Sequence, residues 1–176
     1  MKKALKYIGL ALLAGVLILA ALAAGQPDEF RVTRSALVPA PSDSVAALIT
    51  DFRRWTSWSP YEAMDPQMKR SYAGTAAGVG SVYTWEGDEV GSGRMEITGV
   101  TPAGVTIALD FTAPFEAHNI ATFSLEPEGE GTRVTWTMAG KNSFIGKVMH
   151  VVFDMDRMVG KDFETGLQNM GRTLGR

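Results

Sequence analysis

The sequence has no cysteine and only two histidines, His118 and His150, in 176 residues. The absence of cysteine excludes a disulfide scaffold, a thiolate metal site, a cysteine nucleophile and a lipid-modified cysteine anchor. The two histidines lack the spacing of a helical zinc motif, and a zinc site without thiolates would need scattered carboxylates. We therefore expect no bound metal and no cofactor, and the pattern singles out no catalytic residue.

The chain also lacks an excess of positive charge, because 17 Lys and Arg residues face 19 Asp and Glu residues. Three of the lysines, Lys2, Lys3 and Lys6, precede the first apolar segment, so the remainder of the chain is distinctly acidic. An acidic domain gains nothing from attraction to phosphates. We therefore expect no nucleic-acid partner.

Charge is absent altogether from Tyr7–Gln26, a run of 20 residues rich in Leu, Ala, Ile and Val. About 20 apolar residues in a helix cross a hydrocarbon core of roughly 30 Å. Because the lysines precede this run, the positive-inside rule keeps the N-terminus cytoplasmic and sends the rest of the chain outward. The alternative is a cleaved signal peptide, since Ala21-Leu22-Ala23 follows the A-x-A pattern.

The uncharged N-terminal run and the charged remainder divide the chain into two predicted units. Residues 1–26 are predicted to be a membrane anchor or signal segment, with residues 5–25 in the membrane, and residues 27–176 a folded domain. The expected location is the cell membrane, as a single-pass protein with its domain on the outer (periplasmic or extracellular) side. Signal cleavage would instead give a secreted domain.

The first part of the domain reads as a strand followed by two short helices. Residues 30–38 alternate apolar and polar side chains, which predicts a strand ending before Pro39. Ser42 or Asp43 can cap the next helix. The segment DFRRWTSWSPY, residues 51–61, is then predicted to form a short second helix that stops at Pro60.

Between residues 67 and 140 the apolar period is two, with Gly-rich turns at short intervals. This pattern predicts six further strands in an antiparallel meander, seven in all. After residue 142, apolar side chains recur every three or four positions from Ile145 to Leu174, which predicts one long amphipathic helix. Asn142 or Ser143 is its expected cap. The predicted class is α+β, with a curved sheet around the helix and a cavity between them.

Several segments in order resemble the START/polyketide-cyclase superfamily, also called SRPBCC, over residues 30–175. The similar pieces are FRVTRSALVPAPSDSVAALITDFRRWTSWSPY, YTWEGDEVGSGRMEITGVTPAGVTIALDF, APFEAHNIATFSLEPEGEGTRVTWTMAG and GKDFETGLQNM. The resemblance implies the helix-grip fold and an apolar cavity that holds lipids, polyketides or other hydrophobic molecules. Some members of the superfamily are enzymes and others bind proteins, so the fold alone does not define a function.

Ten residues on the predicted apolar faces of the sheet and the helix are candidates to line the cavity and bind the ligand. Such cavities are mainly apolar with a few polar groups, and Met, Trp and Tyr suit them. The ten are Tyr83, Trp85, Met95, Phe111, Phe123, Trp136, Met138, Met149, Val152 and Met155. Trp55, Trp58 and Tyr61 are candidates for the cavity rim, with the two tryptophans sharing one face and closing the gap between sheet and helix.

Three classes of function remain open from the sequence. The leading hypothesis is a binding or carrier domain, membrane-tethered or exported, for a hydrophobic small molecule or lipid. The second is an enzyme of the polyketide cyclase, dehydrase or hydrolase type, which needs a general acid or base inside the cavity. The third is a protein-interaction module in which Trp55, Trp58 and Tyr61 form an exposed anchor. The sequence leaves the oligomeric state undefined.

Overall fold

A computed structural model describes residues 2–175, so Met1 and Arg176, the outer ends of the two predicted units, lie outside it. The chain begins with helix α1 (Lys2–Ala24). Within residues 2–175, α1 is the one helix long and apolar enough to cross a membrane, and a signal sequence would meet the same criteria.

The domain that follows contains the expected seven-stranded antiparallel sheet. Its strands are β1 (Glu29–Val38), β2 (Lys69–Gly74), β3 (Ser81–Glu86), β4 (Ser92–Thr101), β5 (Gly104–Ala113), β6 (Ala117–Glu128) and β7 (Gly131–Lys141). Their order across the sheet is β1-β7-β6-β5-β4-β3-β2. The period-two pattern is confirmed in β5, where Val105, Ile107 and Leu109 are buried. Consecutive strands from β2 to β7 are therefore neighbours, and β1 pairs with β7 at the edge opposite β2.

Three short helical segments follow β1: α2 (Ser42–Thr50), a 3-10 helix (Phe52–Ser57) and α3 (Pro60–Met64). The predicted cap of α2 is wrong, because Pro41 occupies that position and no side chain bonds the free N–H groups. Pro60 does end the DFRRWTSWS segment, but it also begins α3. Proline suits the first position of a helix because its missing N–H is not needed there.

The prediction of one continuous C-terminal helix is wrong. The structure has α4 (Phe144–Val152) and α5 (Met155–Leu174), separated by Phe153 and Asp154. Phe153 is extended, with φ −125° and ψ 142°. The Asp154 carboxylate accepts a hydrogen bond from the N–H of Arg157 at 3.0 Å, and so caps a new helix. The expected cap of α4 is confirmed, since the Ser143 hydroxyl accepts a hydrogen bond from the N–H of Gly146.

Helix α5 lies against the concave face of the sheet and confirms the helix-grip arrangement. Phe163, Leu167 and Met170 are its buried side chains of large volume. At Gly166 an added Cβ would lie 2.9 Å from Cζ3 of Trp136, so glycine permits this close approach. Helix α4 has no buried residue and packs instead against α1.

Candidate functional site

A cavity of about 440 Å³ lies between the concave face of the sheet and α5. Ligand cavities in proteins commonly measure ~300–1,000 Å³. Some of its lining residues are also exposed to solvent and mark its mouth: Met64, Glu89, Lys141, Ser143 and Met158. The mouth therefore lies at the end of the sheet where β1 begins and β7 ends.

Seven of the ten candidate lining residues lie at the cavity wall: Tyr83, Trp85, Met95, Phe111, Trp136, Met138 and Met155. Tyr83 and Trp85 are stacked, with ring centroids 5.9 Å apart, and Phe111 meets Trp85 edge-on. Residues from β3, β4, β5 and β7 reach one cavity because their side chains alternate toward the same concave face.

The structure does not bring Phe123, Met149 and Val152 to the cavity wall. Phe123 is buried deeper, packed against Trp58 and Trp136 at centroid distances of 6.0 and 4.9 Å. Val152 is exposed and Met149 is half-buried. For Met149 and Val152 the cause is the break at Phe153 and Asp154, because the apolar face of α4 no longer continues that of α5.

The predicted rim residues divide into two groups. Trp55 and Tyr61 line the cavity, whereas Trp58 does not. Trp55 is 4% exposed and its indole N–H donates to the carbonyl of Ile49 at 2.9 Å. Trp58 is 1% exposed and its ring centroid lies 4.6 Å from that of Trp55. The interaction-module hypothesis required both tryptophans to be exposed, and this expectation is wrong.

The cavity also contains a polar cluster that the sequence did not reveal. The Tyr83 hydroxyl donates to one carboxylate oxygen of Glu62 at 2.8 Å, and Nε of Arg70 donates to the other at 2.7 Å. Burial and the Glu62 carboxylate both raise the pKa of Tyr83, so the hydroxyl stays protonated. Glu62 is thus held by two partners and serves to position Tyr83 at the cavity wall.

The polar side chains elsewhere on the cavity lining include Asn119, His150 and Asp162. Asn119 is buried, and among residues 2–175 its Oδ1 has no hydrogen-bond partner. Burial raises the pKa of Asp162, and nearby Lys161 partly opposes this. The same desolvation raises the pKa of Tyr61, with Asp162 adding to the effect.

The other histidine lies away from the cavity. His118 is on the convex side of β6, with Nδ1 2.7 Å from a carboxylate oxygen of Asp110, which raises the pKa of the imidazole. In the described part of the chain, no three His, Asp or Glu side chains cluster to hold a metal ion. The cavity thus offers apolar walls with a few hydrogen-bonding groups, a combination that suits a mainly apolar molecule with a polar part.

The sequence model of the family described as "Polyketide cyclase / dehydrase and lipid transport" matches residues 29–175. The chain belongs to this family. The match begins at the first residue of β1 and includes every strand, so the family region is the whole folded domain and excludes α1. Membership places the chain in the SRPBCC, or START-like, superfamily that its sequence resembles.

Solved structures share the fold of this family member at low sequence identity. Protein CV1439 from Chromobacterium violaceum is 14% identical with a TM-score of 0.60, covering 86% of this chain and 99% of its own. Protein MLL2253 from Mesorhizobium loti is 18% identical with a TM-score of 0.58, covering 82% and 98%. The Aha1 dimer from Colwellia psychrerythraea is 14% identical with a TM-score of 0.57, covering 82% and 96%. These similarities show the fold alone, and no curated protein sequence matches the chain significantly.

Proposed function

We propose that the domain binds a hydrophobic small molecule or lipid in the cavity between the sheet and α5. The observation that carries the proposal is a space of about 440 Å³ with aromatic and methionine side chains on its wall. Methionine adapts to irregular apolar shapes, and burial of apolar surface drives the binding of such ligands. The family description, which includes lipid transport, supports the same class of ligand.

The domain acts from a membrane anchor in this proposal. Helix α1 provides the span in this proposal, and the lysines at its start support an outer location for the domain, in the periplasm or outside the cell. The length of α1 supports retention as an anchor, and release after signal cleavage is the alternative. Reporter fusions separate these outcomes, because cleavage near Ala23 would release a processed reporter.

Cavity filling tests the binding proposal directly. Ala121→Phe adds a ring where β6 lines the cavity, so it should weaken binding of a fluorescent fatty acid to the full-length chain by roughly tenfold or more. Ala108→Phe is the matched control, because Ala108 lies on β5 at the opposite parity from the buried Ile107 and Leu109. Equal affinities in the two folded variants would contradict binding in the cavity.

A cyclase- or dehydrase-type activity in the same cavity is the second candidate. One observation favours it: Asp162 lines the cavity with a carboxyl pKa raised by burial, a property shared by many general acids and bases. Asp162→Asn would then abolish turnover of a polyketide-type substrate while leaving its binding intact. Unchanged turnover in this variant would contradict a catalytic role for Asp162.

A further inference from the structure

Helix α4 carries an apolar face that nothing covers in the described part of the chain. Ile145 and Val152 are seven residues apart and therefore lie on one side of the helix, with Phe144 beside them. All three are exposed, and so is Phe153 just after the helix. A face of large apolar side chains open to water marks an interaction surface.

The opposite side of α4 belongs to the cavity. Gly146 and His150, four residues apart, both line it. Met158, on the first turns of α5, lines the cavity and is also exposed. The apolar outer face of α4 is thus directly beside the cavity mouth.

Helix α4 also lies against the end of the apolar span. In α1, the side chains that are not fully exposed, among those with described burial, are Leu19, Ala20 and Ala23, and α1 packs on α4. These three residues fall within Lys6–Ala24, the segment apolar enough to cross a membrane. Contact with the last turns of a span puts α4 at the level of the membrane surface.

The connection between α1 and the domain is short and is held in place by hydrogen bonds. The backbone N–H of Asn142 donates to the carbonyl of Asp28 at 2.8 Å, and its side-chain amide donates to the carbonyl of Pro27 at 3.0 Å. Nζ of Lys147, on α4, bonds the Asp28 carboxylate at 2.5 Å. These bonds hold α4 and the cavity mouth beside the point where the anchor leaves the membrane.

We infer that α4 docks on the bilayer that holds α1, with Phe144, Ile145 and Val152 inserted among the lipids. The cavity mouth then opens at the membrane surface, and a lipid can pass between bilayer and cavity without crossing water. This inference rests on the anchored form of the proposed function. Amphipathic helices of this kind lie with their apolar face ~5–10 Å into the headgroup region.

Site-directed labelling of the full-length chain tests the inference, since the natural chain has no cysteine. Ile145→Cys and, independently, Phe144→Cys carry an environment-sensitive fluorophore after reconstitution into phosphatidylcholine vesicles. Glu130→Cys is the control, in the exposed β6–β7 turn at the opposite end of the sheet. Nitroxide-labelled lipid should quench the two α4 labels on the order of twofold more than the control.

Three results would overturn the inference. They are equal quenching at all three positions, quenching at neither α4 position, and a lack of lipid quenching together with disulfide formation between unlabelled Ile145→Cys chains, which would make α4 an interface between copies. Binding of a water-delivered fluorescent fatty acid, measured in the same samples, separates the two proposals. Ligand binding without lipid quenching refutes only the docking, and quenching without ligand binding refutes only the cavity's function.

Discussion

The carboxylate of Glu62 accepts a hydrogen bond from the hydroxyl of Tyr83 at 2.8 Å, on the wall of the cavity. Glu62 belongs to α3 and Tyr83 to β3, so this bond joins the helical segment to the sheet. Arg70 of β2 completes the cluster through the second oxygen of the same carboxylate at 2.7 Å. One acidic side chain thus fixes both the mouth end of the sheet and an aromatic ring of the proposed binding site.

Glu62→Gln should destabilise the fold, because it leaves the Arg70 guanidinium without its counter-charge. The side chains of Glu62 and Arg70 are 6% and 22% exposed, so we expect a loss of about 2 kcal/mol, below the ~3–5 kcal/mol of a fully buried pair. Chemical unfolding of the full-length chain in detergent measures it. Glu86→Gln, which breaks the exposed pair with Lys69, is the control and should cost under ~1 kcal/mol. Equal losses in both variants would contradict the structural role of Glu62.

Two glycine-to-alanine changes in α5 should act in opposite directions. At Gly166 the new methyl group would lie 2.9 Å from Trp136 and 3.1 Å from Pro60, so Gly166→Ala should lower the unfolding free energy by about 1–3 kcal/mol. At Gly171 the nearest atom is 3.6 Å away, so Gly171→Ala should raise it by up to ~1 kcal/mol through helix propensity. Thermal unfolding of both variants provides the measurement. A stabilised Gly166→Ala protein would rule out the close approach of α5 to the sheet.

Trp58 should contribute to stability rather than to ligand entry. Its ring is buried against Trp55, Phe123 and Trp136, so Trp58→Ala should cost about 3–5 kcal/mol. Val79→Ala, at an exposed apolar side chain in a turn, should change stability by less than ~0.5 kcal/mol. Denaturant titration compares the two. An unchanged midpoint with altered ligand uptake would instead make Trp58 a gate of the cavity.

Asp162 should give the fold a specific pH dependence. Burial raises its pKa above the ordinary value of 3.8, so the folded state holds this proton more tightly than the unfolded chain does. Its contribution to stability is complete below pH 3.8 and is lost as the pH rises through the raised pKa. Relative to the natural chain, Asp162→Asn should therefore become more stable as the pH rises above about 4. Asp88→Asn is the control. If the stability of Asp162→Asn changed with pH in the same way as that of Asp88→Asn, the raised pKa of Asp162 would be contradicted.

The sheet was predictable because its residues obey a local rule. Alternation in Val105, Ile107 and Leu109 indicated a strand with one buried face, and the structure confirms it. The break between α4 and α5 was not predictable from apolar spacing, since Val152 and Met155 fit a single continuous stripe. The capping bond of Asp154 decides the break, and many aspartates in helices make no such bond.

The cavity was only partly predictable for a related reason. Parity shows on which face of a strand Tyr83 and Trp85 lie, and that face forms the cavity wall. It does not show which neighbouring element supplies a partner. Glu62 reaches Tyr83 because Pro60 begins α3, and Asp162 reaches the cavity because the helix restarts at Met155. Both positions depend on where a helix begins, which the spacing of apolar residues leaves undefined.

Mass spectrometry of the molecules that co-purify with the protein shows whether the cavity holds a hydrophobic ligand. Full-length chain is purified from its native host, washed free of unbound lipid and extracted with organic solvent, alongside the cavity-filling Ala121→Phe variant. We expect about one hydrophobic molecule for each natural chain and a clear loss in the variant. Equal amounts in both proteins would show that the ligand does not bind in the cavity. The absence of a ligand from the natural chain, with no binding of added fatty acids or phospholipids, would show that the domain is not a carrier of such molecules.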